Sequence, residues 1–120
     1  MKNDLKDRTK KFSLQIINLI ELLPKNLAAS IIAKQLVRSA TSVGANYRAV
    51  CRARSDKEFI AKMNIVLEEA DESYFWLELI SEKNWLNKDI VFPILKESNE
   101  LTAIFVSTLK TINARVNKPS

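Results

Sequence analysis

The stretch that decides the fold is "LAASIIAKQLVRSATSVGANYRAVCRARS", residues 27–55, which combines a regular row of apolar residues with four arginines. The apolar residues recur at gaps of three and four, which is the period of an α-helix. They are Ala29, Ile32, Leu36, Ala40, Val43, Tyr47 and Val50. So long a row predicts a helix over about 27–53 that buries one face.

The rest of the chain predicts three more helices, over about 4–23, 55–83 and 88–113, from the same spacing. Pro24 ends the first helix, Asn26 can cap the second, and Ser55 with Glu58 forms a capping box before the third. Four amphipathic helices with short connections predict an all-α, antiparallel up-down-up-down four-helix bundle. At 120 residues the chain is most simply one domain over 1–120.

The predicted core faces of the first and third helices consist of residues at the same helical spacing of three and four. On the first helix they are Phe12, Ile16, Leu19 and Leu23; on the third they are Phe59, Met63, Val66, Ala70, Ser73, Leu77 and Ile80.

The composition excludes several kinds of chemistry. The chain has no histidine, one cysteine (Cys51) and one glycine, so it offers no imidazole base, no thiolate metal cluster and no glycine-rich phosphate loop. The neighbouring carboxylates of residues 68–72 point in different directions around a helix, which indicates a solvated acidic face rather than a metal site. We therefore expect no catalytic residue, no metal, no cofactor and no enzyme activity.

The expected location is the cytoplasm, without a membrane partner. No apolar run approaches the length of about 18 residues that a membrane-spanning helix needs. The apolar stretch after Lys11 is interrupted by polar residues and lacks a cleavage site, so a secretory signal is not expected.

A basic stripe runs along the second helix. At about 100° per residue, Arg38, Arg48 and Arg52 fall within about 40° of Lys34, opposite the apolar row, with the small Thr41 and Ala45 between them. Charge is also segregated along the chain: residues 34–62 hold seven cations and two anions, whereas residues 63–82 hold six anions and no cation.

Two interpretations of this stripe compete. The arginines can pair with carboxylates of the third helix, in which case they carry no function and stabilise the bundle little. Alternatively the stripe binds phosphates, because the guanidinium fork matches phosphate oxygens. The lack of acid within the stripe and the net charge of +5 favour the second. The predicted nucleic-acid-binding residues are Lys34, Arg38, Arg48, Arg52 and Arg54.

A second apolar stripe on the third helix predicts another interface. Ile65, Trp76 and Leu79 lie within about 60° of one another and away from the core row, although a wide core face would give the same pattern. The small residues Gly44 and Cys51 on a flank of the second helix permit close approach of another helix, inside the bundle or between subunits. We therefore expect a homo-oligomer.

Four segments, taken together and in this order, resemble the bacterial four-helix-bundle family known as 23S rRNA intervening-sequence proteins. They are "RSATSVGANYR" (38–48), "RARS" (52–55), "EFIAKMNIV" (58–66) and "EEADESYFWLEL" (68–79). Many relatives carry an Asn-Ile-Ala-Glu-Gly centre where this chain has "NYRAV" (46–50), so it is similar to a different branch.

The resemblance implies a bundle that forms a ring-shaped homo-oligomer, with a pentamer favoured. It also implies a relationship to the accessory variability determinant of diversity-generating retroelements, which binds a reverse transcriptase and nucleic acid. The function that follows is a non-enzymatic nucleic-acid-binding protein, most simply for RNA, which uses the basic stripe on every subunit of the ring. The alternative is a protein–protein adaptor or accessory subunit that docks a partner such as a polymerase or reverse transcriptase.

Overall fold

The computed structural model describes residues 4–118, which form four α-helices and no strand. The helices are α1 (Asp4–Ile20), α2 (Leu27–Cys51), α3 (Asp56–Glu82) and α4 (Lys88–Val116). They form an all-α four-helix bundle, which confirms the predicted fold class. Residues 1–3 and 119–120 of the predicted single domain lie outside the described residues.

The helix ends follow from local chemistry. Asn26 accepts a hydrogen bond from the amide of Ala29, and Ser55 accepts one from the amide of Glu58, as predicted for two N-caps. The predicted end of α1 is wrong by three residues, because the chain tightens into a turn at Ile20 before Pro24 restricts Leu23. Leu23 is nevertheless buried in the core.

Helices that are consecutive in the chain pack against each other, and α1 closes the bundle by packing against α4. The described part of the molecule measures 56 × 25 × 21 Å. The predicted apolar rows form the core, with Ile32 and Phe59 half-buried at its edge. α4 adds Val91, Leu101, Phe105, Leu109 and Ile112 to the core.

The close contact between α1 and α2 depends on Gly44. A Cβ at this position would lie 3.4 Å from the carbonyl oxygen of Thr9 and 3.5 Å from Oγ of Ser13. Ser13 in turn donates its hydroxyl to the carbonyl of Ala40 at 3.1 Å, which ties the two helices together. Of the two small residues on this flank of α2, Gly44 therefore faces α1 within the bundle, whereas Cys51 is exposed.

Small residues also join α2 to α3. Both Ser39 and Ser73 are fully buried, and the hydroxyl of Ser73 donates to that of Ser39 at 2.8 Å. The α3–α4 turn contains Asn84 with φ 56°, a left-handed conformation that asparagine tolerates after a helix end. No described helix is long and apolar enough to cross a membrane.

Candidate nucleic-acid interface

A cationic groove runs between α1 and α2 at the end of the bundle where α2 terminates. Lys10 from α1, Arg48 from α2 and Arg52, the C-cap residue of α2, line the groove, and its volume is about 500 Å³. Its floor is made of small residues, namely Ser13, Thr41, Gly44 and Ala45. Three cations therefore surround an open depression that no bulky side chain fills.

The two groove arginines are free to bind a ligand. Both Arg48 and Arg52 are exposed. Within residues 4–118, neither side chain makes an ion pair or a hydrogen bond. Their separation of four residues places them one turn apart on the same side of α2. The described residues that line the groove include Lys10 and no carboxylate.

The sequence interpretation missed Lys10. This lysine lies on α1, and its position against α2 depends on how closely the two helices approach. The signal that could have revealed it is Gly44, the only glycine in the chain, placed inside a helix where glycine is unfavourable. A mid-helix glycine often marks close packing, and here it brings Lys10 beside the arginines.

Arg38 belongs to a different environment from that of Arg48 and Arg52. Its guanidinium bonds the carboxylate of Glu69 at 3.0 Å and also that of Glu72, both from α3. The hydrogen bond to Glu72 is the main reason why the pKa of Arg38 is raised above its ordinary value. Of the two interpretations of the basic stripe, the structure therefore shows ion pairing with the third helix for Arg38.

The remaining predicted cations do not line the groove. Lys34 is exposed on α2, about 21 Å along the helix from Arg48 at 1.5 Å per residue. Arg54 is exposed in the connection between α2 and α3. The structure therefore brings together only two of the five predicted residues, and Lys10 joins them.

The second apolar stripe lies at the outer edge of the α2–α3 contact. Ile65 is 45% exposed, whereas Trp76 and Leu79 are half-buried. The Trp76 indole packs against the core and donates its Nε1 hydrogen to Glu72 at 3.1 Å. Phe75, which the sequence interpretation did not include, is 49% exposed and lies edge-on to Trp76 at 5.0 Å. We call Ile65, Phe75, Trp76 and Leu79 the α3 flank.

The carboxylates of residues 68–72 divide into two pairs. Glu68 and Asp71 point to solvent, while Glu69 and Glu72 turn toward Arg38. Among the described residues, no three His, Cys, Asp or Glu side chains are grouped so that they could hold a metal ion.

The fold and the groove define a class of protein: an all-α bundle with an unneutralised cationic groove between its first two helices. The family model of the 23S rRNA-intervening sequence protein matches residues 1–107, so the chain belongs to that family.

A solved structure supports the same assignment. The chain is 35% identical to a protein of unknown function from the S23 ribosomal protein family of Bacteroides thetaiotaomicron VPI-5482. The match covers 88% of this chain and 98% of that one, with a TM-score of 0.80. No curated protein matches the chain.

Proposed function

We propose that this protein is a non-enzymatic RNA-binding protein that contacts phosphates through the α1–α2 groove. The observation that carries the proposal is that Arg48 and Arg52 are exposed and unpaired beside Lys10, in contrast to Arg38. Guanidinium groups bind phosphate oxygens through two parallel hydrogen bonds, and the small groove floor leaves room for a nucleic-acid backbone. The membership of a family named for rRNA intervening sequences is consistent with an RNA ligand.

In this proposal the groove is repeated on each subunit of a ring-shaped homo-oligomer, with a pentamer favoured. Three cations per chain give modest affinity, because each phosphate contact is weakened by salt. Several grooves held on one assembly bind the same strand together, since the second contact forms at a high effective concentration. The groove contains no aromatic side chain, so it would bind the backbone without reading bases.

The test is a salt titration of RNA affinity with the variant Arg48→Gln and Arg52→Gln. Glutamine is nearly as good a helix former as arginine, so the fold should persist. Loss of two phosphate contacts should flatten the slope of log affinity against log salt by roughly 1–2 units per engaged subunit. The matched control removes Lys34 and Arg54, both to glutamine, which makes the same charge change outside the groove.

The outcome separates local binding from general attraction. If the control variant loses as much affinity as the groove variant, the net charge rather than the groove drives binding. If neither variant changes the slope, the proposal that RNA binds through α2 is wrong.

A second candidate function is a protein–protein adaptor that docks a partner such as a polymerase or reverse transcriptase. The exposure of Ile65 and Phe75 on the α3 flank favours it, because aromatic residues are enriched at protein interfaces and Phe75 lies beside Trp76. Apolar docking would respond little to salt, whereas the groove would respond strongly. Ile65→Ser with Phe75→Ser should abolish such docking, whereas Arg48→Gln with Arg52→Gln should leave it intact.

A further inference from the structure

A second cationic stripe lies on the outer face of α4. Lys88, Phe92 and Lys96 follow at intervals of four residues and therefore stack along one side of the helix. The core residues Leu101 and Phe105 of α4 lie on the opposite side. We call these three residues the α4 ladder.

Phe92 in the α4 ladder is an aromatic ring held between two lysines. The ring is 49% exposed, and the ammonium nitrogen of Lys88 lies 5.8 Å from its centroid. The three ladder residues line an open depression of about 440 Å³ together with Asp89 and Pro93. An aromatic face open to solvent and flanked by cations can stack a flat ring and bind its attached phosphates.

The surroundings of the α4 ladder are also cationic. Residues 83–96 hold three lysines and one aspartate. The third lysine, Lys83, lies 6.0 Å from the ring centroid of Trp85, which is half-buried in the α3–α4 turn. This end of α4 therefore repeats the pairing of a lysine with an aromatic ring.

The α4 ladder and the α1–α2 groove face different sides of the molecule. The α4 backbone lies close to α3 and α1, and α4 meets α2 across the core, where the ring centroids of Phe105 and Tyr47 are 6.2 Å apart, so α2 and α4 are diagonal in the bundle. The two surfaces also differ in chemistry, because the groove has arginines and no aromatic ring, while the ladder has lysines around one. A ligand of the ladder need not be a ligand of the groove.

We infer that the α4 ladder is a binding site for single-stranded nucleic acid. One unstacked base lies on Phe92, and Lys88 and Lys96 contact the phosphates on either side. Single strands fit because their bases are free to stack on a protein ring, whereas the bases of a duplex are already stacked and paired. A single exposed aromatic ring between lysines is a small apolar area, which suits a base better than a lipid surface or a protein interface.

The test compares three probes: a uridine dodecamer, heparin as a polyanion without bases, and vesicles that contain phosphatidylserine. Phe92→Leu keeps an apolar side chain but removes the stacking face. Ile90→Ala is the matched control, because Ile90 is 40% exposed on the same helix but lies about 160° around it from Phe92, outside the ladder. Lys88→Gln with Lys96→Gln tests the phosphate contacts.

Phe92→Leu should weaken uridine dodecamer binding about fivefold or more, the loss expected from one base stack, and leave heparin binding unchanged. The lysine variant should weaken both polyanions and flatten the dodecamer salt slope by about 1.4, at 0.7 per phosphate of a single strand. Ile90→Ala should change neither. These losses should persist in a protein that also carries Arg48→Gln and Arg52→Gln, so the ladder is tested apart from the groove.

Four results would overturn the inference. They are an undiminished dodecamer affinity in Phe92→Leu, an equal loss in Ile90→Ala, a loss confined to vesicle binding, and no dodecamer binding by the unaltered protein at low salt.

Discussion

Arginines on the two sides of α2 lie in opposite electrostatic surroundings. On the flank toward α3, Arg38 is bonded by the carboxylates of Glu69 and Glu72. Toward α1, Arg48 and Arg52 line a groove whose other cation is Lys10. All three arginines lie on one helix and within about 80° of one another around its axis. The neighbouring helix, rather than α2 itself, therefore decides whether an arginine is paired or available.

The comparison also explains why charge segregation along the chain is a poor guide to ion pairing. Residues 63–82 of α3 hold six anions, yet α3 faces only one side of α2, so only the arginine on that side is neutralised. The helix on the other side, α1, turns its single ion-paired arginine, Arg8, toward α4. The groove keeps its positive charge because no carboxylate is among the described residues that line it.

The largest effect is expected on assembly, from the α3 flank. Ile65→Lys with Phe75→Lys should reduce the mass measured by light scattering from a multiple of 13.7 kDa to 13.7 kDa, because buried apolar residues dominate interface energies. Leu14→Lys with Ile17→Lys, on the outer face of α1, is the matched control and should leave the mass unchanged. An unaltered protein that is monomeric at micromolar concentration would refute the homo-oligomer.

The next effect concerns the side of α2 that faces α1, where Gly44 permits close packing. Gly44→Leu should destabilise the bundle by about 1–3 kcal/mol in urea unfolding, because the side chain meets the backbone of Thr9. Gly44→Ala places its Cβ at an ordinary contact distance and should stabilise by up to about 1 kcal/mol through helix propensity. Equal tolerance of leucine and alanine would show that α1 does not pack on α2 at this point.

A smaller effect should follow when Arg38 is released from its partners. Glu69→Gln with Glu72→Gln leaves its guanidinium as free as that of Arg48. The slope of log RNA affinity against log salt should then steepen by up to about 1 per engaged subunit. Glu68→Gln with Asp71→Gln makes the same charge change at exposed carboxylates and should not steepen it as much. If both variants behave alike, the distinction between paired and free arginines is irrelevant to binding.

The smallest effect is expected for Arg38→Gln itself. The Arg38 side chain is 48% exposed, and exposed ion pairs stabilise proteins little. The urea midpoint should stay nearly unchanged and the RNA salt slope should be unaffected, because the lost cation was already neutralised. A slope that flattens as much as in Arg48→Gln would show that Arg38 leaves its carboxylates to bind RNA.

The sequence predicted the fold well because the relevant signals are local. Helical spacing, Pro24 and the caps Asn26 and Ser55 each act within a few residues, and the apolar rows are buried as predicted. α4 extends three residues further than predicted, to Val116, since no breaker lies before it.

The candidate site was predicted only in part because it depends on how helices rotate and slide against one another. The pairing of Arg38 with Glu69 requires the register between α2 and α3, which periodicity does not provide. The placement of Lys10 requires the approach of α1 at Gly44. The α4 ladder, by contrast, could have been found from the spacing of Lys88, Phe92 and Lys96 alone.

The modest length of α1 has a consequence for local opening. α1 has 17 residues, whereas the other helices have 25 to 29. The contact between α1 and α4 is also smaller than the contact between α2 and α3. The contact of α1 with α4 includes the hydrogen bonds that Arg8 donates to Glu97 and Glu100. Such a helix is expected to detach before the bundle unfolds, with faster amide exchange than in α2 or α3.

A ligand that bridges Lys10 and Arg48 binds only the closed form, so it must shift this opening equilibrium by mass action. Slower amide exchange in α1 on addition of RNA would therefore report occupancy of the groove.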